Sequence, residues 1–213
     1  MIKTYQTFTF ENEPDWNEVA SDSVDFYHWE SENPYRPLCS FQMCFVKKKG
    51  IFLRMRTDET KIRAVCKGRD ENCWEDSCME FFFRPFSHRS EYLNFEMTAG
   101  GAYLCAMGSS RDNRIFLKEL TKKEPTVRAE IGCDGWSVEL FVPCELIDEA
   151  FCEDFCASAG DYRGNFFKCG DKTESPHFGS FSPMGENPPG FHNPDLFANI
   201  LVEERTVEKC KKK

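Results

Sequence analysis

The chain has 213 residues, with 27 Lys plus Arg against 36 Asp plus Glu, for a formal charge of −9. That length suits one domain, or two small ones, with room for a sizeable core. The acidic balance argues against a broad nucleic-acid groove, and no apolar run approaches the roughly 18 residues of a membrane span.

Phe supplies 21 residues beside 6 Tyr and 4 Trp, which leans toward sheet, where aromatic rings pack on the pleat. The start, Met1 to Phe8, has no apolar stretch followed by a small-residue cleavage site. Twelve cysteines are present, none in a CxxC pair, and many sit inside apolar runs such as Met43-Cys44-Phe45. The expectation is free thiols acting as small hydrophobes in a reducing cytoplasm.

In chain order, a short helical turn is expected near Asp15 to Ala20. Ser40 to Val46 and Ile51 to Arg56 flank Lys47-Lys48-Lys49-Gly50 and read as a hairpin. Met79 to Arg84 is a strand stopped by Pro85. Tyr92 to Thr98 and Tyr103 to Met107 flank Ala99-Gly100-Gly101-Ala102, a second hairpin. Thr126 to Ile131 and Trp136 to Val142 flank Cys133-Asp134-Gly135, a third. A helix is expected over Pro143 to Phe151, with Pro in its first turn. Arg163 to Cys169 and Leu196 to Glu203 read as strands. Between them, Gly170 to Pro194 is rich in Gly, Pro, Asn and Ser and reads as a long shaped loop. The sum is an all-β chain, a mostly antiparallel jelly-roll-like β-sandwich with one or two short helices, in a single domain over 1–213.

Strand alternation sorts the side chains. Glu80 and Arg84 share a face with Phe82, opposite Phe81 and Phe83. Asn94, Glu96 and Thr98 share a face, opposite Phe95 and Met97. Phe166 shares one with Lys168. A mixed-charge sheet face is ordinarily solvated, but Trp74 followed by acidic residues suits a sugar: an aromatic ring covers the C–H face of a pyranose while carboxylates, amides and cations reach its hydroxyls.

Trp74-Glu75-Asp76-Ser77-Cys78-Met79-Glu80-Phe81-Phe82-Phe83 resembles the "W-x-x-D-S-x-E-x-F" strand entry of carbohydrate-binding module family 9. Later segments resemble that family in order: Tyr92 to Glu96, Gly135 to Pro143, Gly164 to Asp171, His177 to Pro183, and Asn193 to Ile200. The resemblance runs from about residue 26 to 203. It implies a non-catalytic module that grips mono- or oligosaccharides between two aromatic walls, linked to carbohydrate catabolism, with calcium able to play a structural role. Carried over by position, Trp74 is the first wall and Glu80 accepts from hydroxyls. Glu96 and Lys168 stand where the family puts an Arg and a Gln, and Phe191 or His192 stands for the second Trp. Asn94, Arg84 and His177 complete the expected ligand-binding set, and no metal ligands are assigned.

Three other readings stay open. Glu80 and Glu96 on adjacent strands could serve a glycoside hydrolase, although a nearby Arg or Lys would hold their pKa values down. A broad polar face could bind a protein partner instead. Haem on Met and on one of His28, His88, His177 and His192 is the third. The acidic turns Asp70-Glu71-Asn72 and Asp112-Asn113 are candidate calcium ligands without EF-hand spacing.

Overall fold

The computed structural model describes residues 1–27, 35–185 and 190–205. The stretch with His28 and Trp29, part of the 170–194 segment, and the basic residues from Lys209 onward lie outside the described residues. In chain order the strands are β1 (Thr4–Phe10), β2 (Ser21–Ser23), β3 (Cys39–Val46), β4 (Gly50–Thr57), β5 (Cys78–Arg84), β6 (Tyr92–Thr98), β7 (Tyr103–Gly108), β8 (Arg114–Phe116), β9 (Thr126–Gly132), β10 (Gly135–Pro143), β11 (Gly160–Cys169), β12 (Phe178–Ser180) and β13 (Ala198–Glu204). Two helices, α1 (Leu117–Leu120) and α2 (Cys144–Phe151), and 3-10 turns at Trp16–Glu18, Cys73–Glu75 and Pro194–Leu196 complete the fold.

The strands form one curled sheet in the order β8-β7-β6-β5-β11-β13-β1-β3-β4-β10-β9, with β12 on β11 and β2 on β3. All pairs are antiparallel except β1, which runs parallel to both β13 and β3. The sheet folds over at β1 and β13, so its two halves face each other as a β-sandwich. Phe41 of β3 stacks on Phe166 of β11 at 3.7 Å between ring centroids, and Phe45 meets Phe83 of β5 edge-on at 6.0 Å. Phe81, Phe83, Phe95, Met97 and Phe166 are all buried in this shared core, as their alternation requires. Helix α2 begins at Pro143 as N-cap, ends at Cys152 in the left-handed region, and buries Leu146, Ile147, Ala150 and Phe151.

The three expected hairpins form as β3–β4, β6–β7 and β9–β10. Gly50 ends the first turn at φ +148°, where a Cβ would lie 2.0 Å from the Val142 carbonyl oxygen, so only glycine fits. Three features differ from the sequence reading. Strand β1 has no apolar inward stripe, because Thr7 and Thr9 follow Tyr5 on its inward face; the fourth buried residue, Phe10, lies on the other face. The 170–194 segment is not all loop: β12 pairs with β11, and Phe181 and Met184 are buried. The closing strand starts at Ala198, with Leu196 in the preceding 3-10 turn.

Candidate functional site

The outer face of β5, β6 and β11 forms the floor of a cavity of about 590 Å³. Register puts Glu80 directly opposite both Glu96 and Phe167. Trp74 enters on the 3-10 turn before β5. That turn is held from outside: the Asp171 and Lys172 backbone N–H groups donate to the Trp74 and Glu75 carbonyls at 3.1 and 3.0 Å. The residues after Trp74 fix the turn. Asp76 is buried and accepts from the Val65 and Cys66 N–H groups at 2.7 and 2.8 Å, and Ser77 donates to Glu59 at 2.9 Å. The acid and serine of this motif therefore build the scaffold and do not face the cavity.

Phe191 and His192 line the same cavity. Phe191 stacks on Phe167 at 4.1 Å and 14°. His192 Nδ1 lies 2.7 Å from the Tyr92 hydroxyl, and burial, with Arg114 and Arg111 nearby, pushes its pKa down to about 3, so the ring is neutral. Residues that sequence reasoning missed also line the space: Arg111 from the β7–β8 connection, Arg114 at the start of β8, Asp171 after β11, and Phe178 and Met184. Arg114 Nη1 contacts Glu96 Oε1 at 3.4 Å. No motif flags these arginines, since β8 is only three residues long.

Both floor carboxyls are buried. Desolvation pushes Glu96 up to about 7 even though Arg114 pulls the other way. For Glu80, desolvation and then the Glu96 charge raise the pKa well above the usual range. The expectation that a neighbouring cation would hold them down is therefore corrected: burial outweighs one partly exposed arginine. Desolvation also raises Asp171 to about 6. A carboxyl with a raised folded pKa favours the fold below its unfolded pKa and loses that contribution as pH rises. With a chelator present, Glu80→Gln should raise Tm at pH 8 by about 2–6 °C and have little effect near pH 4. An unchanged or lower Tm at pH 8 would mean that the carboxylate has a compensating partner.

Four expected site residues lie elsewhere. Lys168 is corrected: it sits opposite Met79 on the inner face, fully buried, because it shares the Phe166 side of β11. Its ammonium donates to Glu59 Oε2 at 2.9 Å and to the Cys169 carbonyl at 2.9 Å, and lies 2.7 Å from His177 Nε2. His177 is likewise corrected from site to interior, with Nδ1 2.8 Å from the Ser175 carbonyl. Arg84 closes the β5–β6 turn by donating to the Arg89 and Ser87 carbonyls at 2.6 and 2.8 Å. Asn94 is buried beside the cavity and donates to Glu96 Oε1 at 3.0 Å, so it orients that carboxyl. Burial, then the Lys168 charge, lowers His177 to about 4. Its neutral ring therefore supports the fold above its unfolded pKa near 6.5, and roughly 3 kcal/mol is lost as pH falls toward 4. In NMR titration the His177 ring should stay neutral down to about pH 4; a midpoint near 6.5 would contradict this burial.

The calcium expectation does not fit the Asp70-Glu71-Asn72 turn. Asp70 Oδ2 already meets Lys118 at 2.9 Å and Arg69 at 3.4 Å, and Glu71 accepts from the Gly68 N–H at 2.6 Å. His88 lies at the surface 3.2 Å from Glu153.

A two-layer β-sandwich with an aromatic-walled, carboxylate-floored cavity on one sheet face is the architecture of a ligand-binding module. The family model for carbohydrate-binding family 9 matches residues 11–202, and the chain belongs to that family. Among solved structures, a "putative carbohydrate-binding protein" from Bacteroides uniformis superposes with a TM-score of 0.80 at 25% identity, over 95% of this chain and 100% of that one. A family 9 module from Caldicellulosiruptor kristjanssonii in complex with cellotriose matches with a TM-score of 0.66 at 12% identity, over 99% of each chain. The same source's module with glucose matches at 0.64 and 11%, over 98% of this chain and 100% of that one. No curated protein matches the chain.

Proposed function

We propose that the chain binds mono- or oligosaccharides in this cavity without cutting them, in the service of glycan breakdown. The observation that carries the reading is that Trp74, Phe191 and His192 line one cavity together with the buried carboxyls Glu80 and Glu96. An indole face covers the C–H side of a pyranose, and Glu80, Glu96, Asp171 and Arg111 are placed to exchange hydrogen bonds with hydroxyls. The family membership and the sugars held by the Caldicellulosiruptor modules support the same ligand class. A cavity of about 590 Å³ accommodates a small sugar or the end of a chain.

Raised pKa values at Glu80 and Glu96 favour one other reading, glycoside hydrolysis. Geometry weighs against it. The two are direct neighbours on one sheet face, so both approach a bound ring from the same side, whereas a glycosidase places its carboxyls on either side of the scissile bond. Calorimetric titration against a panel including glucose and cellotriose, with reducing sugar assayed in the same samples, separates the readings. Saturable heat at a Kd of roughly micromolar to millimolar, about −4 to −8 kcal/mol, without product is the expected result. Released sugar would make Glu80 and Glu96 catalytic groups. No binding anywhere on the panel would remove sugars of that class.

A further inference from the structure

Beneath the Trp74 wall, the cavity floor carries a donor set of two thiols and one carboxyl, of which the sugar reading uses only Glu80. Cys78 and Cys169 are direct cross-strand partners on β5 and β11, and Glu80 projects from the same face two residues along β5. The two Sγ atoms and a Glu80 carboxylate oxygen all lie within 4.8 Å of one another, and all three residues are buried. Among the described residues this is the only such grouping of His, Cys, Asp and Glu. Cys169 Sγ is 2.9 Å from Glu80 Oε1, the one side-chain hydrogen bond of Glu80 among the described residues. Among the described residues no cation forms an ion pair with this buried carboxyl; Arg114 pairs with its neighbour Glu96 and acts on Glu80 only at longer range.

We propose that Cys78, Cys169 and Glu80 form a binding site for a thiophilic divalent cation of the zinc class, with its fourth coordination position open to the cavity. Two thiolates select a soft or borderline ion, and the carboxylate favours a divalent ion over monovalent copper. Donors on one tetrahedral zinc lie about 3.6–3.8 Å apart, so the three reach that spacing with shifts of roughly 1 Å or less. Glu80 and Cys169 both line the cavity, so the open position faces the space where a ligand sits. Binding displaces the two thiol protons, and the Glu80 proton where it is present, to solvent; no electron transfer is involved. The site does not depend on the sugar reading, since it uses the metal alone as its ligand.

The test is titration of the full reduced chain with Co²⁺, read by thiolate-to-cobalt charge-transfer absorption and by the visible bands of a tetrahedral ion, followed by displacement with Zn²⁺. The expected result is one ion per chain with charge-transfer intensity for two thiolates. Cys169→Ser and Cys78→Ser should each halve that intensity and weaken binding at least roughly tenfold. Circular dichroism establishes that each variant is folded, and Glu80→Gln, which removes no packing, gives a variant independent of the cysteines that should weaken binding without changing the charge-transfer bands. Substituting the exposed Cys152 should change nothing. Bands that persist unchanged in both folded cysteine variants would place the ion on other thiols and overturn the proposal. So would a spectrum without thiolate bands, or a reduced chain that binds no cobalt.

Discussion

Trp74→Ala should abolish measurable sugar binding and leave the chain folded. The ring is half-buried at the cavity wall, and its stacking face plus the apolar area it covers account for about 2–3 kcal/mol, or roughly 30- to 150-fold in affinity. From a Kd in the upper micromolar range, that loss passes beyond calorimetric detection. The fold should survive because the turn is held through backbone groups and through Asp76, none of which needs the indole. Tm should fall by no more than about 5 °C. Retained affinity in the folded variant would take Trp74 out of the site; an unfolded variant would show that its role is structural.

The second large effect is on stability. Glu59 is fully buried and accepts from Lys168, from the Trp136 indole at 3.0 Å and from Ser77 at 2.9 Å. Burial pushes its carboxyl up, but the Lys168 charge and the hydrogen bonds from Lys168 and Trp136 outweigh it and hold it below the usual range. This cluster joins the segment before β5 to β10 and β11, and so sets the base on which the Trp74 turn rests. Lys168→Met strands a buried carboxylate and should cost about 3–5 kcal/mol, or roughly 6–20 °C in Tm. Lys168→Met combined with Glu59→Leu should recover part of that loss, because the stranded charge goes with its partner. A thermal melt of the single variant within about 2 °C of the parent would show that the pair is not the anchor.

Much of the sandwich was legible because its strands alternate cleanly and its turns carry glycine. The Phe81/Phe83 and Phe95/Met97 stripes point to the core as their period requires. Strand β1 was not legible, because its inward positions Thr7 and Thr9 are polar and are satisfied by partners far along the chain: Thr7 donates to the Met43 carbonyl at 2.5 Å and Thr9 to Glu204 at 2.9 Å. At the site, Trp74, Glu80, Glu96, Phe191 and His192 come together around one cavity. Lys168 does not, although alternation already placed it with Phe166. Its charge suggests an outward position, because its buried partner Glu59 lies in a loop far away in sequence, and nothing local announces it. Arg111, Arg114 and Asp171 were missed for a related reason: Arg111 and Asp171 reach the cavity from loops and Arg114 from a strand of three residues, and only the fold determines their course.

The account turns on where the sugar sits. A crystal structure of the chain soaked with the tightest ligand from the calorimetric panel tests this most directly. The expected result is a sugar ring lying flat on the Trp74 indole, with hydroxyls within about 3 Å of the Glu80 and Glu96 carboxyls. A sugar bound in the separate cavity beside Asp58 and Asp134, or on the outer surface away from Trp74, would contradict it.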